Sequence, residues 1–338
     1  MTNAAIAGKP VVYIPGSVLN LRSKFKEKGL CDGPTFSTGI ACVYRCSFCY
    51  VESYQTMNPQ VQQAMSDTSK AFQDLVIRRS SALAKLRESL TQTNGKPKFA
   101  GGVKKVIYAS PLVDVAANID LAKETIECCK IIFELTNWDV RLLSKSNLLP
   151  YIAKGLPSEF KKRVIFGVST GTFDDKLALA FEQGTALVSK RLESLYWLQD
   201  NGFRTFGMIC PSLPQDDYEG FAQEAISKIR EPYCENTWAE VLNVRGDSMT
   251  RTCVSLEAAG YGRAAGYIRA VSADATAWEE YARSTFLAQS KLFPKGKLSF
   301  LQYINPINQA WWKEQIPNGA VLLGDLADKL RKTGWKTL

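Results

Sequence analysis

Apolar residues along this chain fall into short β-branched runs separated by longer stretches of helical spacing. Val103–Ala109 is apolar and β-branched, as a buried strand requires. Ile119–Leu135 then repeats its apolar residues at helical intervals. The alternation continues through a strand at Val140–Leu143, a helix at Leu148–Lys154 and a strand at Val164–Ser169. A helix at Ala186–Gln199, closed by Asn201-Gly202, leads to a strand at Phe203–Ile209 and a helix at Tyr218–Ile229. Trp238–Val244 reads as a strand, Ala275–Leu292 as a helix, Leu298–Ile304 as a late strand and Asn308–Trp312 as the start of a closing helix. Upstream, Leu75, Leu83, Leu86 and Leu90 suggest one long helix over Ser66–Leu90. Residues 1–38 read as an irregular lead-in with a basic patch at Arg22–Lys28, and the glycines of Ala258–Tyr267 as a flexible loop.

Repeated strand–helix units with short connections imply an α/β fold with a parallel sheet. Six such units would form a partial or full barrel, whose functional groups gather at the C-terminal ends of the strands. No apolar run approaches the length of a membrane span, and the first residues lack the marks of a signal peptide, so a cytoplasmic protein without membrane contact is expected.

Charge and cysteine content narrow the chemistry. The net charge of +9, from 42 Lys and Arg against 33 Asp and Glu, favours an anionic partner such as nucleic acid. The chain has no histidine, which excludes His-based triads and imidazole acid–base catalysis; proton transfer must use carboxylates, Tyr, Lys, Cys or water. Of nine cysteines, six (Cys31, Cys128, Cys129, Cys210, Cys234 and Cys253) are scattered. Lone cysteines are most often buried, and Cys128-Cys129 lies on an apolar helix face.

The other three cysteines form the segment Gly39-Ile40-Ala41-Cys42-Val43-Tyr44-Arg45-Cys46-Ser47-Phe48-Cys49-Tyr50. Thiolates at C-x3-C-x2-C spacing can hold three corners of one [4Fe–4S] cluster and leave the fourth iron open for chemistry. A zinc site completed by Cys31, in a non-enzymatic zinc-stabilised nucleic-acid-binding protein, is the alternative; zinc ligands, however, usually come as C-x2-C couples, and no second couple is present.

This segment, with an aromatic residue before the last cysteine and Tyr50 after it, resembles the signature of the radical S-adenosylmethionine (SAM) superfamily. Further segments resemble its spore photoproduct lyase-like branch: Ser110-Pro111-Leu112-Val113-Asp114, Leu143-Ser144-Lys145-Ser146, Val168-Ser169-Thr170, and Ile209-Cys210-Pro211-Ser212-Leu213-Pro214 before Asp216 and Asp217. The order matches across roughly residues 39–245. The resemblance implies a partial (β/α)6 TIM-like barrel over residues 39–255, flanked by extensions at 1–38 and 256–338. It implies that SAM binds the open iron and is cleaved reductively to a 5′-deoxyadenosyl radical, which takes a hydrogen atom from the substrate. An electron donor such as flavodoxin or ferredoxin would be needed.

By the same resemblance Cys42, Cys46 and Cys49 hold the cluster beside Tyr50. Lys145 and Ser169 would hold the SAM carboxylate and ribose, and Ser110 or Asp114 its amino or adenosyl end. Glu240 and Asn243, on the Trp238–Val244 strand, are candidates for SAM or substrate. Spore photoproduct lyases place a hydrogen-donating cysteine near the S-P-x-x-D segment, where this chain has Ala109, Ser110 and Pro111. The expected reaction is therefore isomerisation or hypermodification of a pyrimidine nucleotide or DNA base, of the kind found in bacteriophage DNA pathways, rather than dimer repair. A peptide or small metabolite is the alternative substrate. Arg245, Asp247 and Arg251, read as a loop, could meet an anionic substrate. Trp311, Trp312, Trp335 and nearby lysines could stack on bases or form a hydrophobic cap.

Overall fold

A strand in which every residue is buried, Val164–Thr170, runs from one compact unit of the chain into the other. The computed structural model describes residues 5–109, 111–243 and 247–324. The first unit comprises residues 1–44, 54–167 and 193–204; the second comprises 45–53, 168–192 and 205–338.

In the first unit Thr35–Phe36, Val106–Ala109 and Asp139–Ser144 pair in parallel. The helix Ile119–Leu135 connects the latter two and buries Leu121, Ile126, Cys128, Cys129 and Ile132. Asn118 caps it, its side-chain oxygen accepting from the Leu121 amide at 2.9 Å. The sequence fits this helix because its apolar residues form one continuous stripe. Burial pushes the Cys128 and Cys129 thiols well up, so these cysteines are inert packing groups.

A second, four-stranded sheet in the same unit corrects two expectations. Lys9–Ile14 pairs in parallel with Val76–Arg79, which also pairs antiparallel with Gly39–Ala41. The lead-in is thus partly sheet. The long helix expected over Ser66–Leu90 is instead a helix at Pro59–Thr68, the strand Val76–Arg79 and a helix at Ala82–Leu90. Ser69 and Ser81 take left-handed backbone angles, φ 51° and 54°, which end the first helix and lead into the second. Leu75, Val76 and Ile77 are all buried, so an apolar run that suited a helix serves a strand flanked on both sides.

The second unit continues the alternation. Arg204–Ser212, apart from its first residue, pairs in parallel with Cys234–Val241, which pairs with Leu298–Tyr303, and that with Ala320–Leu323. Ala275–Leu292 is a helix at the expected bounds, capped by Asp274, and buries Trp278, Tyr281 and Phe286. Trp312 is fully buried, stacked on Phe300 at 5.9 Å, with its indole N–H on Glu279 at 2.7 Å. It is therefore part of a hydrophobic cap and is out of reach of a base; Trp335 lies outside the described residues. The stretch expected as a flexible loop is mostly the helix Gly262–Val271, and Arg251 sits on the helix Ser248–Ala258 instead of a loop. Gly262 and Gly266 face open space, where a glycine weakens a helix without breaking it.

This mixed α/β arrangement of parallel strands and intervening helices is the expected fold class. Among the described residues no helix is long and apolar enough to cross a membrane.

Candidate functional site

Each unit carries part of the expected site. In the first, Cys42 follows the strand Gly39–Ala41 and is half-buried. Asp114 lies beyond the end of Val106–Ala109, and its carboxylate organises the end of the neighbouring strand. One oxygen accepts from the Ser144 hydroxyl at 2.7 Å and from the Ala116 amide at 2.8 Å; the other accepts from the Lys145 amide at 2.7 Å. The Ser146 amide in turn donates to the Ser144 oxygen at 2.9 Å. The structure thus brings together Asp114 and Lys145 and fixes the Lys145 backbone, with the side chain half-buried at a strand's C-terminal end. Ser110 lies outside the described residues, as does Arg245.

In the second unit Cys46 sits on a two-residue strand paired antiparallel with Glu182–Gln183, Cys46 opposite Glu182. A tight turn follows, the Cys49 amide donating to the Cys46 carbonyl at 3.0 Å. Ser47 between them is buried and held by three contacts: its amide and its hydroxyl both donate to the Phe181 carbonyl, at 2.9 and 3.1 Å, and its hydroxyl lies 3.1 Å from that of Thr252. Phe48 packs on Phe181 with ring centroids 5.7 Å apart. Tyr50 is half-buried, and its carbonyl accepts from the Ser53 hydroxyl at 2.7 Å.

Arg251 reaches this turn from its helix. One guanidinium nitrogen donates to the Cys49 carbonyl at 2.9 Å, and another pairs with Glu52. Burial pushes the Arg251 pKa down while the nearby Cys49 sulfur pulls it back up. Nothing in the local sequence singled out Arg251 beyond its being one of three charges grouped after a strand.

A buried ion pair stands behind the turn. Glu182 and Arg191 are 0% and 1% exposed, with 2.6 Å between nitrogen and oxygen. Arg191 also donates to the Ser169 carbonyl at 2.8 Å and the Thr185 hydroxyl at 2.7 Å. One guanidinium therefore links the strand opposite Cys46 to the strand end carrying Ser169. Sequence reasoning missed both partners; the available signal was an Arg on the apolar face of a helix, three residues after Val188 and four before Leu195. Ser169 turns its hydroxyl onto the Cys210 carbonyl at 3.1 Å. Gly171 follows, and a Cβ there would stand 1.9 Å from the Pro211 carbonyl oxygen, so only glycine admits that approach. Glu240 is buried and accepts from the Asn243 side-chain amide at 3.3 Å.

Thiols of this kind are the ordinary ligands of an iron–sulfur cluster. Cys42, Cys46 and Cys49 form no disulfide and are half-buried, whereas Cys31, Cys128, Cys129, Cys234 and Cys253 are buried. Burial pushes the Cys31 thiol up, away from the thiolate a metal needs. Among the described residues no three Cys, Asp or Glu side chains are grouped as ligands of a single metal ion.

No protein-family model matches the chain, and no curated protein matches it. Among solved structures, a spore photoproduct lyase mutant matches with a TM-score of 0.50 and 12% identity over 72% of this chain and 65% of that one. The chain shares the fold of that lyase. Another mutant of that lyase, with bound AdoMet and dinucleoside spore photoproduct, matches at 0.46 and 11% identity over 67% of this chain and 61% of its own. Streptococcus suis SuiB bound to its precursor peptide SuiA matches at 0.46 and 11% identity over 86% of this chain and 54% of its own. The chain spans just under two thirds of the length of the lyase structures it matches.

Arg251 yields a first prediction. Arg251→Met removes the donor to the Cys49 carbonyl, and supporting contacts of this kind are worth about 10–100-fold in metal retention. Iron should leave the reconstituted variant faster under a chelator, with Arg251→Lys intermediate. Equal rates in variant and wild type would show that Arg251 does not support the turn.

Proposed function

We propose that this protein is a radical SAM enzyme acting on a pyrimidine nucleotide or DNA base. Three half-buried thiols at C-x3-C-x2-C spacing, Cys46 and Cys49 among them on a turn clamped by Arg251 and Ser47, carry the proposal. Cys42, Cys46 and Cys49 would hold a [4Fe–4S] cluster, which when bound supplies the electron that splits SAM. The clamp keeps Cys46 and Cys49 in place, and Phe48 on Phe181 shields the turn from water.

The Asp114 carboxylate fixes the Lys145 backbone, so that the Lys145 ammonium can meet the SAM carboxylate at the strand end. Glu240 offers a buried carboxylate to a cofactor or substrate amine or hydroxyl. The substrate class is supported by the net charge of +9. The reaction type, an isomerisation or hypermodification, is supported by the absence of cysteine at 109, 110 and 111. Electrons would come from a carrier such as flavodoxin or ferredoxin.

Anaerobic reduction of the reconstituted protein with SAM and deuterated thymidine oligonucleotides is expected to place deuterium in 5′-deoxyadenosine. Deuterium transfer from peptides and not from oligonucleotides would reassign the substrate class. An absence of deoxyadenosine under every condition would remove the enzyme reading itself.

A further inference from the structure

The parallel strands of the first unit have two ends. Asp114 and Lys145 lie just past the C-terminal ends; the N-terminal ends carry a set of cations. Lys104 and Lys105 precede the strand Val106–Ala109, Arg163 precedes Val164–Thr170, and Arg204 begins Arg204–Ser212. The buried Asp139 carboxylate gathers this end, 3.0 Å from Lys104 and 2.6 Å from Arg204.

The arginines form a frame and the lysines a surface. Arg204 donates to the Lys162 carbonyl at 3.0 Å, and Arg163 to the Thr136 and Trp138 carbonyls, both at 2.8 Å. Lys105 lies over Trp138 at 6.0 Å, Lys161 over Phe203 at 5.1 Å and Lys154 over Trp197 at 4.8 Å, with Trp197 stacked on Phe203. Lying on a ring orders a lysine stem while its ammonium stays in water, which lowers the entropy lost when an anion binds. The same end holds four carboxylates, Asp32, Asp139, Glu159 and Asp200; Asp32 accepts from the Val106 amide at 2.6 Å, and Asp139 is already neutralised by two cations.

We propose that this basic end of the first unit binds the phosphate backbone of a nucleic-acid strand, so that the substrate is a polymer rather than a free nucleotide. The inference rests on the nucleic-acid reading above. A repeating anion matches several ordered ammonium groups framed by arginine, and such contacts position a strand without reading its sequence. Strands of four to seven residues put the two ends roughly 13–23 Å apart, beyond the reach of one nucleotide.

The test compares reconstituted wild type, a patch variant (Lys105→Glu, Lys161→Glu and Lys162→Glu) and a control of equal charge change (Lys70→Glu, Lys123→Glu and Lys176→Glu). The patch variant should bind a 30-nucleotide thymidine-rich strand about 10-fold or more weaker, with a log–log salt slope smaller by about 2, while the control moves by less than about 3-fold. A Lys105→Gln, Lys161→Gln and Lys162→Gln variant should fall between. Iron content and SAM cleavage without nucleic acid should match wild type in all of them, and binding of a dinucleotide should not change. Equal binding by patch and control variants overturns the inference and leaves the proposed function standing. Loss of reduction by an acidic flavodoxin with unchanged strand binding also overturns it and assigns the patch to a protein. A wild type that binds no strand at low salt sinks the nucleic-acid reading first.

Discussion

Cys46→Ala, and likewise Cys42→Ala and Cys49→Ala, should leave the anaerobically reconstituted protein with less than about a tenth of the wild-type deoxyadenosine formation, because a cluster held by three thiolates does not survive the loss of one. Iron analysis, the broad absorption of the brown protein and product chromatography read this directly. Cys31→Ala serves as the discriminating variant. Cys31 is buried and its thiol is pushed up, so its loss should leave iron and activity intact. A zinc site completed by Cys31 requires the reverse. Zinc retained by wild type and lost on removing Cys31 would falsify the cluster assignment.

The second large effect is on stability. Glu182→Gln leaves the Arg191 guanidinium charged, buried and short of its carboxylate. Removing one partner of a buried pair costs about 3–5 kcal/mol. For a chain of this size that lowers Tm by roughly 4–7 °C, read by calorimetry or a thermal melt on protein without iron. Glu182 faces Cys46 across two paired backbones, so the same variant should also take up iron less completely. Glu182→Leu combined with Arg191→Met removes both charges and should recover most of the Tm, because no unpaired charge remains. A drop of under about 2 °C for Glu182→Gln would mean that the pair contributes little to holding the turn.

The elements that were legible in the sequence are those whose partners are local or uniform. The helices Ile119–Leu135 and Ala275–Leu292 match their expected bounds because each carries one long apolar stripe and a side-chain cap. Val164–Thr170 was legible because it is buried on both faces and therefore reads as a continuous apolar run. The strand Val76–Arg79 was not, because what makes it a strand lies far away in the chain, at Lys9–Ile14 and Gly39–Ala41. Left-handed serines at 69 and 81 end the helix before it and open the helix after it, where a reader looks for glycine or proline.

The site divides in the same way. Spacing alone singled out the cysteines, while Asp114 and Lys145 came from the resemblance of their segments to the spore photoproduct lyase-like branch, with which their strand-end positions agree. The groups that hold them (Arg251, Thr252, Glu182 and Arg191) come from segments with no motif, because a carbonyl or hydroxyl can be met by any donor the fold delivers. Gly171 likewise acquires meaning only from the Pro211 carbonyl beside it.

The clasp on the cysteine turn comes from far downstream: Arg251 and Thr252 lie 202 and 205 residues beyond their partners Cys49 and Ser47. At about 5–20 residues per second, a ribosome finishes the turn some 10–40 s before it makes the helix that secures it. A nascent chain arrested before that helix would display the Cys46–Cys49 turn without its clasp.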